Sequence, residues 1–318
     1  MAGGHLLHCS SMCALKSSRI LVSGASGPIG ATLLSSLKSN GARIARLTRN
    51  GTTSNSAADE EHISWDPGQT IPAQVVSGFD AVIHLAGETI AGRWTEAKKA
   101  KILNSRVVGT RNLAQALAQT REKPGVFVCA SAIGYYGHRG DELLREQGPS
   151  GTGFLAQVCR EWEAATAPAE QAGIRTARTR FGVVLSPQGG ALQKMQLPFK
   201  LGLGGNIGDG RQWWSWIDVQ DLVGAIHHIL KTDLLQGPVN VVAPRPVTNA
   251  EFTKTLAQAL SRPAILPMPA FAVKLLLGQM GEEVLLGSQR VEPTKLISSG
   301  YPFRFRELRA SLDAILNH

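Results

Sequence analysis

Short apolar runs that alternate with helical patterns predict an α/β chain: a doubly wound parallel sheet followed by a small, mostly helical C-terminal lobe. Three features carry this prediction. Strand-like and helix-like segments take turns from residue 19 onward. A glycine-rich turn, Gly24 to Gly30, joins the first strand to the first helix. The texture changes near Pro263, where Pro263, Pro267 and Pro269 lead into closely spaced helical stretches.

In chain order, RILVS (19–23) is a short buried strand and 29–39 a helix that Gly41 ends. Residues 42–47 (ARIARL) form a second strand, 48–61 a polar loop and 63–65 a third short strand. DAVIHLA (80–86) has no polar alternation and is a strand buried on both faces. The longest helical pattern, 95–119, carries Lys98, Lys99 and Lys101 on one side. VFVCAS (126–131) is the fifth strand, 153–172 a helix and 175–184 the sixth strand. A glycine-rich loop, a helix starting near Asp218 and a strand at 238–242 follow. Helical stretches around 270–277, 282–288 and 306–316 close the chain. The division expected is a disordered leader at 1–18, a nucleotide-binding domain at 19–242 and a helical domain at 263–316.

Composition narrows the function. With 43% hydrophobic and 18% charged residues, the chain can bury a substantial core. The net charge of +9 is spread along the sequence, which favours anionic small ligands. No nucleic-acid motif accompanies it, so no nucleic-acid partner is expected. Cys9, Cys13, Cys129 and Cys159 form no CxxC pair, and the adjacent His227 and His228 point to different sides of a helix. No metal site is expected, and the thiols suit a reducing compartment. The first 18 residues lack a secretory apolar core, and no apolar run reaches membrane-spanning length. The expectation is a cytoplasmic protein with no membrane partner; the sequence leaves its oligomeric state open.

The glycine run supplies the chemistry. Strand 19–23 runs into Gly24-Ala25-Ser26-Gly27-Pro28-Ile29-Gly30 and then a helix. Glycine there permits a tight turn, close approach of backbone to a pyrophosphate, and close packing of the helix. The helix N-terminus adds unpaired N–H groups and the positive end of its dipole. Strand, glycine turn and helix together mark a Rossmann-type dinucleotide cradle. Selectivity lies at the end of the second strand, where a carboxylate suits a ribose 2′-hydroxyl and an arginine suits a 2′-phosphate. This chain has Leu47-Thr48-Arg49 and no acidic residue before Asp59, so Arg49 and Thr48 favour NADP, with NAD as the alternative.

The GxxGxxG spacing resembles the short-chain dehydrogenase/reductase superfamily, and Pro28-Ile29 its extended branch. DAVIHLAG, residues 80–87, resembles that family's fourth strand, whose Leu85-Ala86-Gly87 backbone would pass along the cofactor. Asp66 sits where the family places an acidic residue near the adenine. Residues 105–110 resemble its NVxGT helix motif, with Arg106 in the Asn position. Residues 131–137 (SAIGYYG), 154–163 (FLAQVCREWE), 201–210, 214–221 and 248–252 are similar to an atypical YfcH-like subgroup of epimerase family proteins. That resemblance spans about 19–316 and implies hydride transfer, by an oxidoreductase or epimerase, on a sugar-like or nucleotide-linked substrate.

Members of the superfamily move a proton with a Tyr-x-x-x-Lys pair on the helix after the fifth strand, while a serine orients the substrate. Here that helix contains neither tyrosine nor lysine. Ser131 and Tyr136, upstream of it, are the remaining catalytic candidates; packing or substrate contact is the other fate of Tyr136. Arg106 reaches the cofactor or an anionic substrate, or lies solvated on its helix. Glu88 holds a ribose, acts as a base or caps a turn. Trp213, Trp214 and Trp216 stack on a sugar or join the core. Asp218 and Asp221 cap a helix, and 202–210 forms a mobile cleft wall. The missing pair also motivates another class of function, a cofactor-binding sensor or scaffold without turnover.

Overall fold

The computed structural model describes residues 17–49, 54–56 and 60–316, so the expected leader lies almost wholly outside the described residues. In chain order the first elements are β1 (Arg19–Ser23), α1 (Pro28–Ser39), β2 (Arg43–Thr48), β3 (Ser54–Ser56), β4 (Glu60–Ser64) and β5 (Ala81–His84). Then come α2 (Glu96–Gln119), β6 (Val126–Ala132), β7 (Leu143–Leu144), α3 (Phe154–Ala164), α4 (Ala167–Gln171), β8 (Arg175–Phe181) and β9 (Val183–Leu185). The next are α5 (Ala191–Lys200), β10 (Trp213–Trp214), β11 (Trp216–Asp218), α6 (Val219–Lys231), β12 (Gly237–Val241) and β13 (Val247–Thr248). Last are α7 (Asn249–Ala259), α8 (Ala270–Leu277), β14 (Arg290–Val291), α9 (Thr294–Ser298) and α10 (Leu308–Leu316).

The central sheet has the order β12-β8-β6-β5-β1-β2-β4-β3, parallel throughout except for the β3–β4 edge. The chain winds outward from β1 through β2 and β4, then returns to β5 and winds the other way. The order therefore reverses between β1 and β5, where a doubly wound sheet opens its ligand crevice. The inner strands are buried along their length: Ile20, Leu21, Val22, Val82, Ile83, Phe127 and Val128 have no exposed surface. This is why they read as continuous apolar runs.

The structure departs from the sequence expectations at several places, among them helix α5, which stands where only a glycine-rich loop is expected. Ser54–Ser56 interrupts the expected polar loop as an edge strand, and β4 begins at Glu60, ahead of the expected position. The long helix at 153–172 is two helices, broken where Thr166 folds its hydroxyl back onto the Glu163 carbonyl (2.7 Å). The sixth strand bends at Gly182, where a Cβ would lie 2.6 Å from the Ser215 carbonyl oxygen, and β9 leaves the main sheet to pair with β11. Helix α7 was not anticipated, although Thr248 and Glu251 form a complete capping box at its start.

The C-terminal segment shares its cores with the rest of the chain. Leu296 and Phe303 pack into the main core, while Phe305, Leu308 and Leu312 join Leu192, Trp214, Trp216 and Phe252 in a second one. Trp214 and Trp216 are thus core residues; Trp213 alone is part-exposed, donating its indole N–H to Asp141 (2.7 Å). Asp218 caps α6 by accepting from the Gln220 N–H (2.8 Å). Asp221, expected as a second cap, instead accepts the backbone N–H groups of Arg304 and Phe305 (2.8 Å each), tying the C-terminal segment to α6. His227 and His228 diverge to Ser36 and Ser299 respectively.

One buried group makes the sheet sensitive to acid. His84, at the end of β5, has no exposed surface and shares a hydrogen bond with Ser23 through Nδ1. Burial disfavours the imidazolium and pulls its pKa from 6.5 down to about 4. The unfolded chain therefore binds a proton that the folded chain refuses. His84 stabilises the fold fully above pH 6.5, and that contribution is lost as pH falls from 6.5 towards about 4. Denaturant unfolding should show His84→Gln losing about 3 kcal/mol less than the parent between these limits. Parallel pH profiles for the two proteins would contradict this.

Candidate cofactor cradle and substrate cleft

The three glycines of the first turn do different work. Gly24 has φ +73°, and a Cβ on it would lie 2.5 Å from the Leu85 carbonyl carbon. It lets the turn fold against the end of β5, across the reversal of strand order. A Cβ on Gly30 would lie 2.4 Å from the Gly24 carbonyl oxygen, so this glycine seats α1 on the turn, a closer role than the expected packing of helix on strand. Gly27 is different: φ is −77° and the nearest neighbour of a Cβ would be 3.6 Å away. Gly27 is the N-cap of α1, no acidic side chain occupies the first turn, and Pro28 begins the helix without needing an N–H. The N-terminus of α1 is thus left open to an anion.

This turn is one wall of a cavity of about 560 Å³ whose lining includes Ser23 to Gly27, Arg46 to Arg49, and Leu85 to Glu88. Arg46 was missed by sequence reasoning. The signal was the strand period: Arg46 and Thr48 are two residues apart on β2 and so share a face. Thr48 Oγ1 and Arg46 Nε are buried without a hydrogen-bond partner among the described residues. Buried polar atoms of this kind need partners. With exposed Arg49 beside them, they fit a phosphate of a bound dinucleotide. His62, Trp65, Pro67 and Ser105 complete the lining.

Other expected residues are committed elsewhere. Asp66 accepts the Gly68 N–H (2.9 Å), closing its own turn, while its neighbours Trp65 and Pro67 face the cavity. Glu88 pairs with Lys98 (2.7 Å), and that hydrogen bond holds its carboxyl below the usual carboxylate range. Such a carboxylate accepts hydroxyl hydrogen bonds and is a poor base. Arg106 is not a solvated helix residue. Its guanidinium donates to the Glu88 carbonyl (2.9 Å) and lies 5.0 Å from the Trp162 ring centroid. A Cβ on Gly87 would come within 3.1 Å of it. Arg106 thus buttresses the Ala86–Gly87–Glu88 backbone that borders the cavity.

Ser131 and Tyr136, the catalytic candidates of the sequence, are both enclosed. Tyr136 has no exposed surface; its hydroxyl bonds Asn240 Oδ1 (2.8 Å) and the Arg145 carbonyl, and accepts from Arg180 (2.9 Å). Burial pushes its pKa up to about 12. Ser131 donates to Glu163 Oε1 (2.8 Å) and is 2% exposed. Glu163 in turn holds Arg180 through two hydrogen bonds (2.7 and 2.9 Å). Along α3, Cys159 and Glu163 repeat the four-residue spacing of the Tyr–Lys pair. Cys159 is buried and burial raises its thiol to about 12, so it offers no thiolate.

A second cleft of about 960 Å³ opens beside Gly134 and Leu155. Its walls carry His138, Asp141, Asp209, Arg211 and Lys274. Glu283 closes one end by accepting the N–H groups of Phe154 (2.9 Å) and Leu155 (2.8 Å), a cap for α3 supplied from the C-terminal segment. Among the glycines of the expected mobile wall, Gly208 borders this cleft. That segment is pinned, with hydrogen bonds from Leu266 to Gly204 (3.0 Å), from Met268 to Asn206 (2.8 Å) and from Gly208 to Met268 (2.9 Å).

Residues 20–242 match the model of the NAD dependent epimerase/dehydratase family. The chain belongs to that family. Residues 268–315 match a domain of unknown function, DUF1731. An epimerase family protein of Mycobacterium bovis, Mb2239, is 39% identical over 92% of this chain and 96% of its own length. The chloroplastic SDR39U1 homolog of Arabidopsis thaliana, also an epimerase family protein, is 38% identical over 93% of this chain and 86% of its own length. Among solved structures, human epimerase family protein SDR39U1 with NADPH superposes with a TM-score of 0.85 at 34% identity, covering 94% of this chain and 99% of that one. No described helix is long and apolar enough to cross a membrane.

The division of labour among the glycines is testable. Gly27→Ala should keep the fold within about 1 kcal/mol in denaturant unfolding but weaken NADPH by at least roughly tenfold in titration. Gly30→Ala should instead cost about 1–3 kcal/mol, because backbone atoms must shift. Equal stability losses at both positions would overturn the assignment.

Proposed function

We propose that this family member binds NADP(H) in the smaller cavity and works on a sugar-like or nucleotide-linked substrate in the larger cleft, as an oxidoreductase or epimerase. The observation that carries the reading is the open N-terminus of α1 facing the unpartnered Thr48 and Arg46 atoms across one cavity. In it the backbone of Gly24, Ser26, Gly27, Pro28, Ile29 and Gly30 lies under the pyrophosphate. Arg49, Thr48 and Arg46 hold the 2′-phosphate, and Leu85, Ala86 and Gly87 line the path of the ligand, with Arg106 keeping them in place. Glu88 accepts ribose hydroxyls. The human relative solved with NADPH supports this choice of cofactor. A relative from Corynebacterium glutamicum described as a nucleoside-diphosphate sugar epimerase, 34% identical over 95% of this chain and 59% of its own, supports the substrate class.

The nicotinamide, when bound, supplies a hydride donor or acceptor. The protein must then handle the proton, and Ser131 and Tyr136 are enclosed. His138 stands on the cleft wall instead. Its Nδ1 accepts the Ser288 N–H (3.1 Å), which leaves Nε2 to carry the ring's exchangeable proton. Asp141, Asp209 and Arg211 offer partners for substrate hydroxyls. A second reading, binding without turnover, draws on one observation: Ser131, Tyr136, Cys159 and Glu163 are all tied into the interior.

Two measurements address these readings. Arg49→Asp should weaken NADPH roughly 10–100-fold in titration and leave NADH nearly unchanged; equal effects would remove Arg49 from selectivity. Protein loaded with NADPH should lose reduced-nicotinamide absorbance with some keto compound of a panel, or protein loaded with NADP should convert some nucleotide sugar of the panel to a keto sugar or an epimer. His138→Gln should slow that turnover roughly 10²-fold at unchanged NADPH affinity. Tight NADPH binding with no turnover on any panel member would favour the sensor.

A further inference from the structure

Outside both cavities, the surface carries a feature that cofactor binding does not use. Leu197, Leu201 and Leu203, at and beyond the end of α5, are 57–65% exposed. Ile265, Leu266 and Met268 are 40–76% exposed, and Phe271, Leu275 and Leu276 on α8 are 63–72% exposed. These are one patch. The Leu266 and Met268 N–H groups bond the Gly204 and Asn206 carbonyls, the Arg262 side chain reaches the Lys200 carbonyl (3.3 Å), and α8 begins two residues after Met268. A monomer's largest apolar patch is roughly 300–600 Å², room for only a few such side chains.

The charges on the two segments that build the patch are of one sign; at its edge Lys274 pairs with Glu282 (3.0 Å). Residues 191–208 and 261–277, which build it, contain Lys194, Lys200, Arg262 and Lys274 and no aspartate or glutamate. All four of these cationic residues are exposed. We propose that this face docks on an anionic lipid surface, with the leucines, Ile265 and Phe271 entering the headgroup boundary and the cations meeting lipid phosphates and carboxylates. A polypeptide that lies on a bilayer needs apolar side chains flanked by Lys and Arg, not a spanning helix. A second copy of the chain is the poorer occupant, because an isologous contact would set Lys194, Lys200 and Arg262 against their own copies, and the nearby Glu282 is already paired with Lys274. An acidic protein partner is also poorer. The two segments contain no tryptophan or tyrosine to serve as anchors. Pro269, Ala270 and Lys274 also line the larger cleft, so docking would bring one of its walls to the lipid interface. The inference stands apart from the reading of the cofactor site.

Vesicle flotation of the full chain tests it. The protein should float with vesicles of phosphatidylcholine containing phosphatidylglycerol at least roughly tenfold better than with phosphatidylcholine alone. Raising salt from roughly 0.1 M to roughly 0.5 M should weaken that binding. Phe271→Glu with Leu275→Glu should abolish flotation, and Lys200→Glu with Arg262→Glu should cut it at least tenfold. Both variants should keep the parental melting temperature and NADPH affinity. No flotation of the parent would overturn the proposal. So would flotation indifferent to Phe271 and Leu275, or a concentration-dependent dimer that the Phe271/Leu275 variant abolishes. Saturable binding to an acidic protein without binding to vesicles would overturn it equally.

Discussion

The ion pair between Glu163 and Arg180 organises the centre of the molecule. Glu163 is 7% exposed and Arg180 2%, and two charges taken so far from water are tolerated only if every lone pair and N–H finds a partner. They do. Glu163 accepts from Ser131 as well as Arg180, and Arg180 donates to the Tyr136 hydroxyl and to the Glu146 carbonyl (3.2 Å). Its guanidinium carbon also lies 3.5 Å from the Tyr135 ring centroid. Tyr136 passes the network to Asn240 on β12, and Asn240 to the Glu292 carbonyl (2.9 Å) near the C-terminal segment. Strands β6, β8 and β12, helix α3 and the segment around 292 are thus cross-linked by one polar chain. Breaking any member leaves another buried and unpaired.

Glu163 of that network stands on α3, the helix that follows β6 and carries neither tyrosine nor lysine. The dinucleotide cradle lies elsewhere, built on β1, β2 and β5 astride the reversal of strand order. The two cavities have separate linings. Gly27 and the N-terminus of α1 face one cavity, while His138, Asp141 and Arg211 face a cleft that the C-terminal segment completes through Glu283. Asp221 on α6 reaches to that segment and Glu283 reaches from it to α3, so cleft and fold are stabilised together.

The sheet and its cradle were readable because they obey local rules. The buried strands are apolar runs, and the glycine spacing reports a backbone that must approach Leu85 and Ala25 closely. The same rules, applied further, would have found Arg46 through the period of β2 and α7 through Thr248 and Glu251. What local reading could not reach was pairing between distant residues. Asp221 looks like a helix cap until its partners Arg304 and Phe305 are known, some eighty residues away. Tyr136 and Ser131 look like catalytic groups until Arg180 and Glu163 are seen to claim them. A polar residue in the right motif says nothing of whether its hydrogen bonds are already taken.

The most direct test of this account is the stability of Glu163→Gln, Arg180→Met and the double variant in denaturant unfolding, with NADPH affinity measured on each. A structural network predicts that either single change costs about 3–5 kcal/mol, by stranding a buried charge, and that the double variant regains part of this loss. NADPH affinity of the folded fraction should stay at the parental value. Single variants as stable as the parent that lose turnover with their cofactor bound would contradict it, and would place Glu163 and Arg180 in the chemistry.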